Sequence, residues 1–254
     1  MLIKNLVSII VPTYNVEPYI EETIKSVQMQ KNVDWELLIV DDLSTDNTIK
    51  IIQKIQNKDS RIKLISLNEN KGAAYARNIA IENSSGEFIA FLDSDDVWYE
   101  NKLELQINFM RKNHIHFCST SYEKVNEKGE KINVNILAPK KLNYQGLLKK
   151  CPGNSTVIYN ADKLGKIYTP VIRKRNDYAL WLQVIKKSEN LYGMSEILSN
   201  HRVRENGISH NKKSLIKYHW IVYREIEELS IVKSIQLINY WVLKGIVTKI
   251  IKRN

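Results

Sequence analysis

Three carboxylates stand within four residues at Asp93-Ser94-Asp95-Asp96, directly after the apolar run 88–92. Neighbouring like charges repel, so the cluster is unfavourable unless something positive joins it. Hard divalent cations take oxygen ligands, and Mg²⁺ or Mn²⁺ typically links one or two carboxylates to a substrate phosphate. The cluster therefore reads as a metal site bridging protein and diphosphate. A solvated turn, with an aspartate capping a helix from Val97 onward, accounts for the same residues.

A second cluster runs Asp41-Asp42-Leu43-Ser44-Thr45-Asp46-Asn47-Thr48. Asp42, at the end of an apolar run, is placed to accept a hydrogen bond from a nucleobase N–H. Ser44, Thr45 and Asp46 suit the cap of the helix whose first apolar residue is Ile49. A third, Asn70-Lys71-Gly72-Ala73-Ala74-Tyr75-Ala76-Arg77-Asn78, joins a glycine and small residues to two cations. Gly72 lets backbone approach a ligand, and Lys71 and Arg77 suit a phosphate or base. An ordinary helix start with surface cations fits as well.

These groups need elements to carry them. Apolar runs at 7–11, 36–40, 62–67 and 88–92 have the length of buried strands. Between them Ile20, Ile24 and Val27, then Ile49, Ile52 and Ile55, recur at helical spacing. Strands alternating with helices predict an α/β fold: a Rossmann-like, mostly parallel sheet flanked by helices. Ligands of such sheets bind beyond the carboxyl ends of the strands. There the sequence places Pro12, Thr13 and Tyr14, then Asp41-Asp42, then Asp93 to Asp96. Further on, a helix is expected at 103–110, a strand at 115–121, a turn around Gly129, a helix at 177–187 and a strand at 197–203. Residues 132–160 show no clear period.

Composition is that of a folded protein, with 43% hydrophobic and 26% charged residues in 254. The length fits one large domain, or one domain plus a tail. Net charge is +10, which invites nucleic acid, an anionic membrane or a phosphorylated small substrate. Acids crowd the ligand edge and would repel a nucleic-acid backbone, so no nucleic-acid partner is expected. Cys118 and Cys151 lack metal-ligand spacing and read as free thiols. The N-terminus lacks signal-peptide features, and no apolar run approaches the roughly 18 residues of a membrane span, so a cytoplasmic location is expected.

The order of motifs is more specific than any one of them. Ser8-Ile9-Ile10-Val11-Pro12-Thr13-Tyr14-Asn15, the Asp41-Asp42 cluster, the 70–78 segment and Gly86-Glu87-Phe88-Ile89-Ala90-Phe91-Leu92-Asp93-Ser94-Asp95-Asp96 together closely resemble glycosyltransferase family 2. The resemblance is dense over about residues 5–120 and looser to about 215. It implies the GT-A fold, a nucleotide-diphosphate sugar donor, Mn²⁺ or Mg²⁺ as cofactor, and inversion at the anomeric carbon. By that resemblance Pro12, Thr13, Tyr14 and Asp42 hold the nucleobase and Arg77 contacts the nucleotide. Asp93 belongs to the Asp-x-Asp motif, with Asp95 or Asp96 nearest the metal.

Arg175-Asn176-Asp177-Tyr178-Ala179-Leu180-Trp181-Leu182 is similar to the family's acidic catalytic segment. Asp177 matches the general base, and Trp181 the tryptophan that follows it on the substrate side. Asn176 stands where an acid or Gln is usual. A helix N-cap is the competing role for Asp177. His201-Arg202-Val203-Arg204-Glu205-Asn206-Gly207-Ile208-Ser209 resembles the family's basic segment. Arg204 replaces its usual His, which favours a diphosphate contact by Arg202 or Arg204 over a His–metal bond.

The expected organisation is a catalytic domain over 1–210, with a nucleotide-binding half at 1–98 and an acceptor half at 99–210. A basic amphipathic helical tail follows at 211–254. Residues 211–254 carry nine Lys or Arg against three Glu, with Trp220, Tyr223 and Trp241 among aliphatic residues. Such a tail suits peripheral contact with the inner face of the cell membrane through 214–254, or packing on the domain. The implied activity moves a sugar, with UDP as the usual nucleotide, to a hydroxyl of a glycan or lipid-linked acceptor in bacterial surface polysaccharide synthesis. The alternative is an inactive GT-A-like domain that binds carbohydrate or a partner. The acids at 42, 95 and 177 argue against that, and the 177–181 segment against a nucleotidyltransferase.

Overall fold

The apolar runs become strands because each alternates its side chains between two covered faces. The computed structural model describes residues 2–204 and 212–251. It begins β1 (Ile3–Thr13), α1 (Ile20–Gln28), β2 (Trp35–Asp41), α2 (Thr48–Gln56), β3 (Ile62–Ser66), α3 (Ala73–Glu82) and β4 (Gly86–Phe91). All three pairings among these strands are parallel, in the order β3-β2-β1-β4. Ile10, Leu38 and Val40 face one apolar layer, with Ala76 and Ala80 of α3. Their neighbours Ile9, Leu37 and Ile39 face the other, with Ile20, Ile24 and Val27 of α1. Both faces are thus dry, and burying each such aliphatic side chain stabilises the fold by roughly 1.5–3 kcal/mol.

The second half is mixed. It runs β5 (Val97–Trp98), α4 (Lys102–Lys112), β6 (Phe117–Val125), β7 (Lys131–Ile136), β8 (Lys141–Asn143), α5 (Tyr144–Leu147), β9 (Ile158–Asn160), α6 (Ala161–Leu164), α7 (Asn176–Ser188) and β10 (Asn190–Arg202). Short β9 lies antiparallel between β4 and β6 and joins the halves, and β10 continues the sheet parallel to β6. The turn around Gly129 links β6 to β7. The expected strand at 197–203 is the end of a longer β10, and the expected strand at 115–121 extends to Val125. Cys118 and Cys151 are free thiols.

Two helices close the described chain, α8 (Lys212–Ile221) and α9 (Ile231–Ile251), joined through a π-helical turn at Val222–Ile226. Val222, Tyr223 and Leu237 enter the same apolar layer as Trp181 and Leu180 of α7. The inner side of the tail therefore packs on the domain. Glu205, Asn206, Gly207, Ile208, Ser209, Asn211, Lys252 and Arg253 lie outside the described residues, as do the side chains at 212–214 and 246–251. No helix among the described residues is long and apolar enough to cross a membrane.

Candidate active site

The carboxyl ends of β1, β2 and β4 lie side by side, so their polar ends share one edge. At the end of β1, Thr13 is buried and its carbonyl accepts the Asp42 N–H at 2.8 Å, while Tyr14 stands 48% exposed. Asp41 turns back to the Ser44 N–H at 2.8 Å. Asp42 reaches across to the loop before α3, where it accepts the N–H groups of Lys71 and Gly72, each at 2.8 Å. Gly72 has φ +87°, a left-handed conformation that disfavours any side chain. The space a Cβ would take there is open. Asp46 accepts the Thr48 N–H at 3.0 Å, as expected of the residues before α2.

The 93–96 loop is held from several sides. Thr23 of α1 donates its hydroxyl to the carbonyls of Ser94 and Asp96. Ser155, in the 3₁₀ turn Asn154–Thr156, accepts the Asp93 N–H at 3.0 Å and donates to the Asp96 carboxylate at 2.6 Å. Asn154 donates to Asp93 at 2.7 Å. Asp96 also accepts the Arg202 N–H at 2.9 Å and faces His201 at 3.6 Å. Asp95 is paired with the Arg204 Nε at 2.7 Å.

Burial is the largest influence on these acids. It pushes Asp93 up to about 6, helped by the charge of Asp95 and opposed by that of Arg77. It raises Asp95, against the pull of Arg204. It raises Asp96 well above the usual carboxylate range, with Asp95 and Asp93 adding to the effect. Besides Arg77 and Arg204, a divalent cation would offset the repulsion among the three acids.

The donor set fits one. Asp93 and Asp95 supply hard oxygen ligands, yet the described residues contain no group of three metal-ligating side chains. Two carboxylates are the number with which Mg²⁺ or Mn²⁺ commonly joins a substrate phosphate. Asp96 is placed differently from the metal ligand expected of it. Both its oxygens face protein donors, and it is 4% exposed.

Arg77 links the parallel half to α7 of the mixed half. It is buried on α3 and donates to the Asn176 side chain at 2.6 Å. Burial lowers its pKa, and the charges of Asp93 and Asp177 act in the other direction. One buried cation thus lies within electrostatic reach of the 93–96 loop and of Asp177. This also gives Asn176 a use. Its oxygen accepts from Arg77 and its amide donates to the Ile172 carbonyl at 3.2 Å.

Asp177 is half-buried in the first turn of α7. The preceding Arg175 has φ 60°, a left-handed conformation uncommon outside glycine. Beyond it an aromatic clamp fixes the helix. The hydroxyls of Tyr178 and Tyr223 and the Trp241 Nε1 all donate to the Leu148 carbonyl, at 3.0, 3.1 and 3.1 Å.

Two expected ligand contacts are corrected. Trp181 is fully buried, edge-on to Phe91 with ring centroids 4.8 Å apart, so it is core and does not face the site. Arg202 donates to the carbonyls of Asp95 (2.9 Å) and Glu127 (2.8 Å) and to the Glu22 carboxylate (2.6 Å). Its side chain is 2% exposed, so it ties loops together and does not face a diphosphate. Arg204 keeps 32% exposure and can turn to one.

Asn154 and Ser155 join the site without belonging to any of its motifs. Their only signal was the polar Gly153-Asn154-Ser155-Thr156 run inside the stretch without a period. Gly153 is demanded by packing, since a Cβ there would strike the His201 ring, which stacks on Tyr122 at 3.8 Å.

Comparison with known proteins agrees with this geometry. The family model described as "Glycosyl transferase family 2" matches residues 8–161. The putative teichuronic acid biosynthesis glycosyltransferase TuaG of Bacillus subtilis is 44% identical over 91% of this chain and 92% of its own. The UDP-Glc:alpha-D-GlcNAc-diphosphoundecaprenol beta-1,3-glucosyltransferase WfgD of Escherichia coli is 42% identical over 94% and 93%. Among solved structures, S. aureus TarS 1-349 in complex with UDP-GlcNAc superposes with a TM-score of 0.72 at 24% identity, over 91% of this chain and 70% of that one. The mannosyltransferase PcManGT from Pyrobaculum calidifontis, in complex with GDP-Man and Mn²⁺, gives 0.63 at 18% identity, over 91% and 64%. These two likenesses establish the fold.

Proposed function

Because the chain belongs to glycosyl transferase family 2 and is a glycosyltransferase of GT-A fold, we propose that it moves a sugar from a UDP-sugar to a hydroxyl of a lipid-linked glycan, with inversion, in bacterial surface polysaccharide synthesis. The E. coli relative's name gives UDP-glucose as donor and a diphosphoundecaprenol-linked sugar as acceptor, and the B. subtilis relative's name gives teichuronic acid biosynthesis. Both support the reading. The single observation that carries it is convergence. Asp93 and Asp177, 84 positions apart in sequence, both act by charge on the buried Arg77, which donates to Asn176 beside Asp177 at 2.6 Å.

In this reading Tyr14 offers its exposed ring to the nucleobase, with Pro12, Thr13 and Asp42 shaping that end. Asp95, with Asp93, would hold Mn²⁺ or Mg²⁺. The ion, when bound, supplies Lewis-acid stabilisation of the leaving diphosphate. Arg204 adds a second positive charge there. Asp177 takes the proton of the acceptor hydroxyl as that oxygen bonds to the anomeric carbon. The bond from that carbon to the diphosphate oxygen breaks, and UDP leaves with the electron pair. Residues 1–98 serve the donor, 99–210 the acceptor, and 211–254 give peripheral contact at the inner membrane face.

The test is a screen of UDP-, GDP- and dTDP-sugars for hydrolysis with and without Mn²⁺, repeated with a diphosphoundecaprenol-linked N-acetylglucosamine acceptor. Metal-dependent turnover of a UDP-sugar and glycosylated lipid product are expected. Absence of turnover with every donor, in both conditions, would overturn the proposal.

A further inference from the structure

Helix α9 has two unlike sides. Ser234, Leu237 and Trp241 point into the domain, buried or half-buried. On a helix of 3.6 residues per turn, Ile231, Val232, Ile235, Val242 and Leu243 fall on the opposite side. All five are exposed, from 39% at Val242 to 67% at Val232. A row of this kind is more than the scattered single apolar residues of an ordinary surface.

Charge decides between occupants. The segment 211–254 carries nine Lys or Arg against three Glu. One of the three, Glu227, is turned inward, where it pairs with Lys186 at 2.9 Å and accepts from Gln183 at 2.8 Å. Lys149, on the loop under α9, adds a further exposed cation. Two copies meeting through α9 would bring two strongly basic tails together and repel. An anionic bilayer attracts the same charge and accepts the apolar row.

We propose that the outward row of α9 is the seat of this protein on an anionic phospholipid bilayer, and that the same helix registers the catalytic helix to that surface. The proposal rests on the lipid-linked acceptor proposed above. The register follows from the inner side. Trp241 donates to the Leu148 carbonyl at 3.1 Å and to the Tyr223 hydroxyl at 3.0 Å, and the Tyr178 hydroxyl meets the same carbonyl. Tyr178 is the neighbour of Asp177. Arg175 lies over the Trp241 ring at 5.4 Å. A bilayer holding the outer side of α9 therefore sets the height of α7, and with it the base, above the membrane where the acceptor headgroup emerges. No bond of this clamp involves the outward row.

The experiment uses the full chain and the variant Val232→Glu/Ile235→Glu/Leu243→Glu, all at exposed positions. Sedimentation with vesicles of equal parts phosphatidylglycerol and phosphatidylcholine should pellet the wild type, less so at high salt. The variant should bind at least about tenfold more weakly. Its KM for the lipid-linked acceptor in those vesicles should rise by a similar factor of about ten, with kcat on a short detergent-free acceptor and metal-dependent donor hydrolysis unchanged. Equal vesicle binding by both proteins would overturn the proposal. So would a wild-type dimer in solution that the variant converts to monomer without any vesicle binding. Loss of donor hydrolysis in the wild type would instead strike the proposed activity and leave the vesicle result readable.

Discussion

The two halves of the sheet hold their acids in opposite ways. In the parallel half, Asp41 and Asp42 follow directly from β2 and are fixed by N–H groups of the next loops, from Ser44, Lys71 and Gly72. In the mixed half, Asp177 heads a helix that is placed by side chains from far along the chain. Arg77 reaches it through Asn176, and Tyr223 and Trp241 meet Tyr178 on the Leu148 carbonyl. The 93–96 loop lies between these extremes, since it follows β4 directly but is pinned by Ser155 and Arg202. The acids of the parallel half can be written in short motifs, whereas the placement of Asp177 needs the finished fold.

Substitutions can break that contrast, the largest effect coming first. Asp177→Asn keeps size and removes the proton acceptor, so transfer should fall by about 10²–10⁴ with donor affinity retained. Normal transfer rates in this variant would remove Asp177 from the role. Asp95→Ala should weaken Mn²⁺-dependent donor binding by roughly a hundredfold and leave metal-free binding unaltered. Calorimetric titration with and without the ion reads this, and equal affinities would count against the site. Ser155→Ala removes one hydroxyl that serves both Asp93 and Asp96. A drop of about tenfold in metal affinity is expected, of the size seen when groups behind a metal ligand are removed. No change would mean that the loop holds its shape without the mixed half.

Stability sharpens the same contrast without touching the site. Lys102 is fully buried on α4, donating to Gln106 at 2.8 Å with its ammonium over the Trp98 ring. Burial lowers its pKa to about 7. The unfolded chain therefore binds more protons than the folded one between about 7 and 10.5, and stability rises with pH across that window. Raising pH from 7 to 9 should add about 2 kcal/mol through this group. Lys102→Met should abolish that increment in urea unfolding, and an unchanged pH slope would refute the assignment.

Legibility in the sequence followed the same division. β1, β2 and β4 were readable because both faces of their central residues are buried, and β3, at the edge of the sheet, kept enough aliphatic residues to be seen. β5, β8 and β9 have two or three residues each, too few to show any period. Trp181 was assigned to the substrate by resemblance alone, and the apolar layer around Phe91 takes its ring instead. Arg202 looked free to meet a phosphate because its four acceptors lie in segments distant in sequence. Asn154 and Ser155 carried little signal beyond a short polar run, because their partners are set only when β9 enters the sheet.

The Arg77–Asn176 bond has a consequence for recombination among related enzymes. An acceptor-side segment transplanted from a relative with a carboxylate at position 176 would meet this same guanidinium as a charge pair, while one with an apolar residue would strand it without an acceptor. Hybrids built to change acceptor choice should therefore treat positions 77 and 176 as a single heritable unit, crossing over on the same side of both.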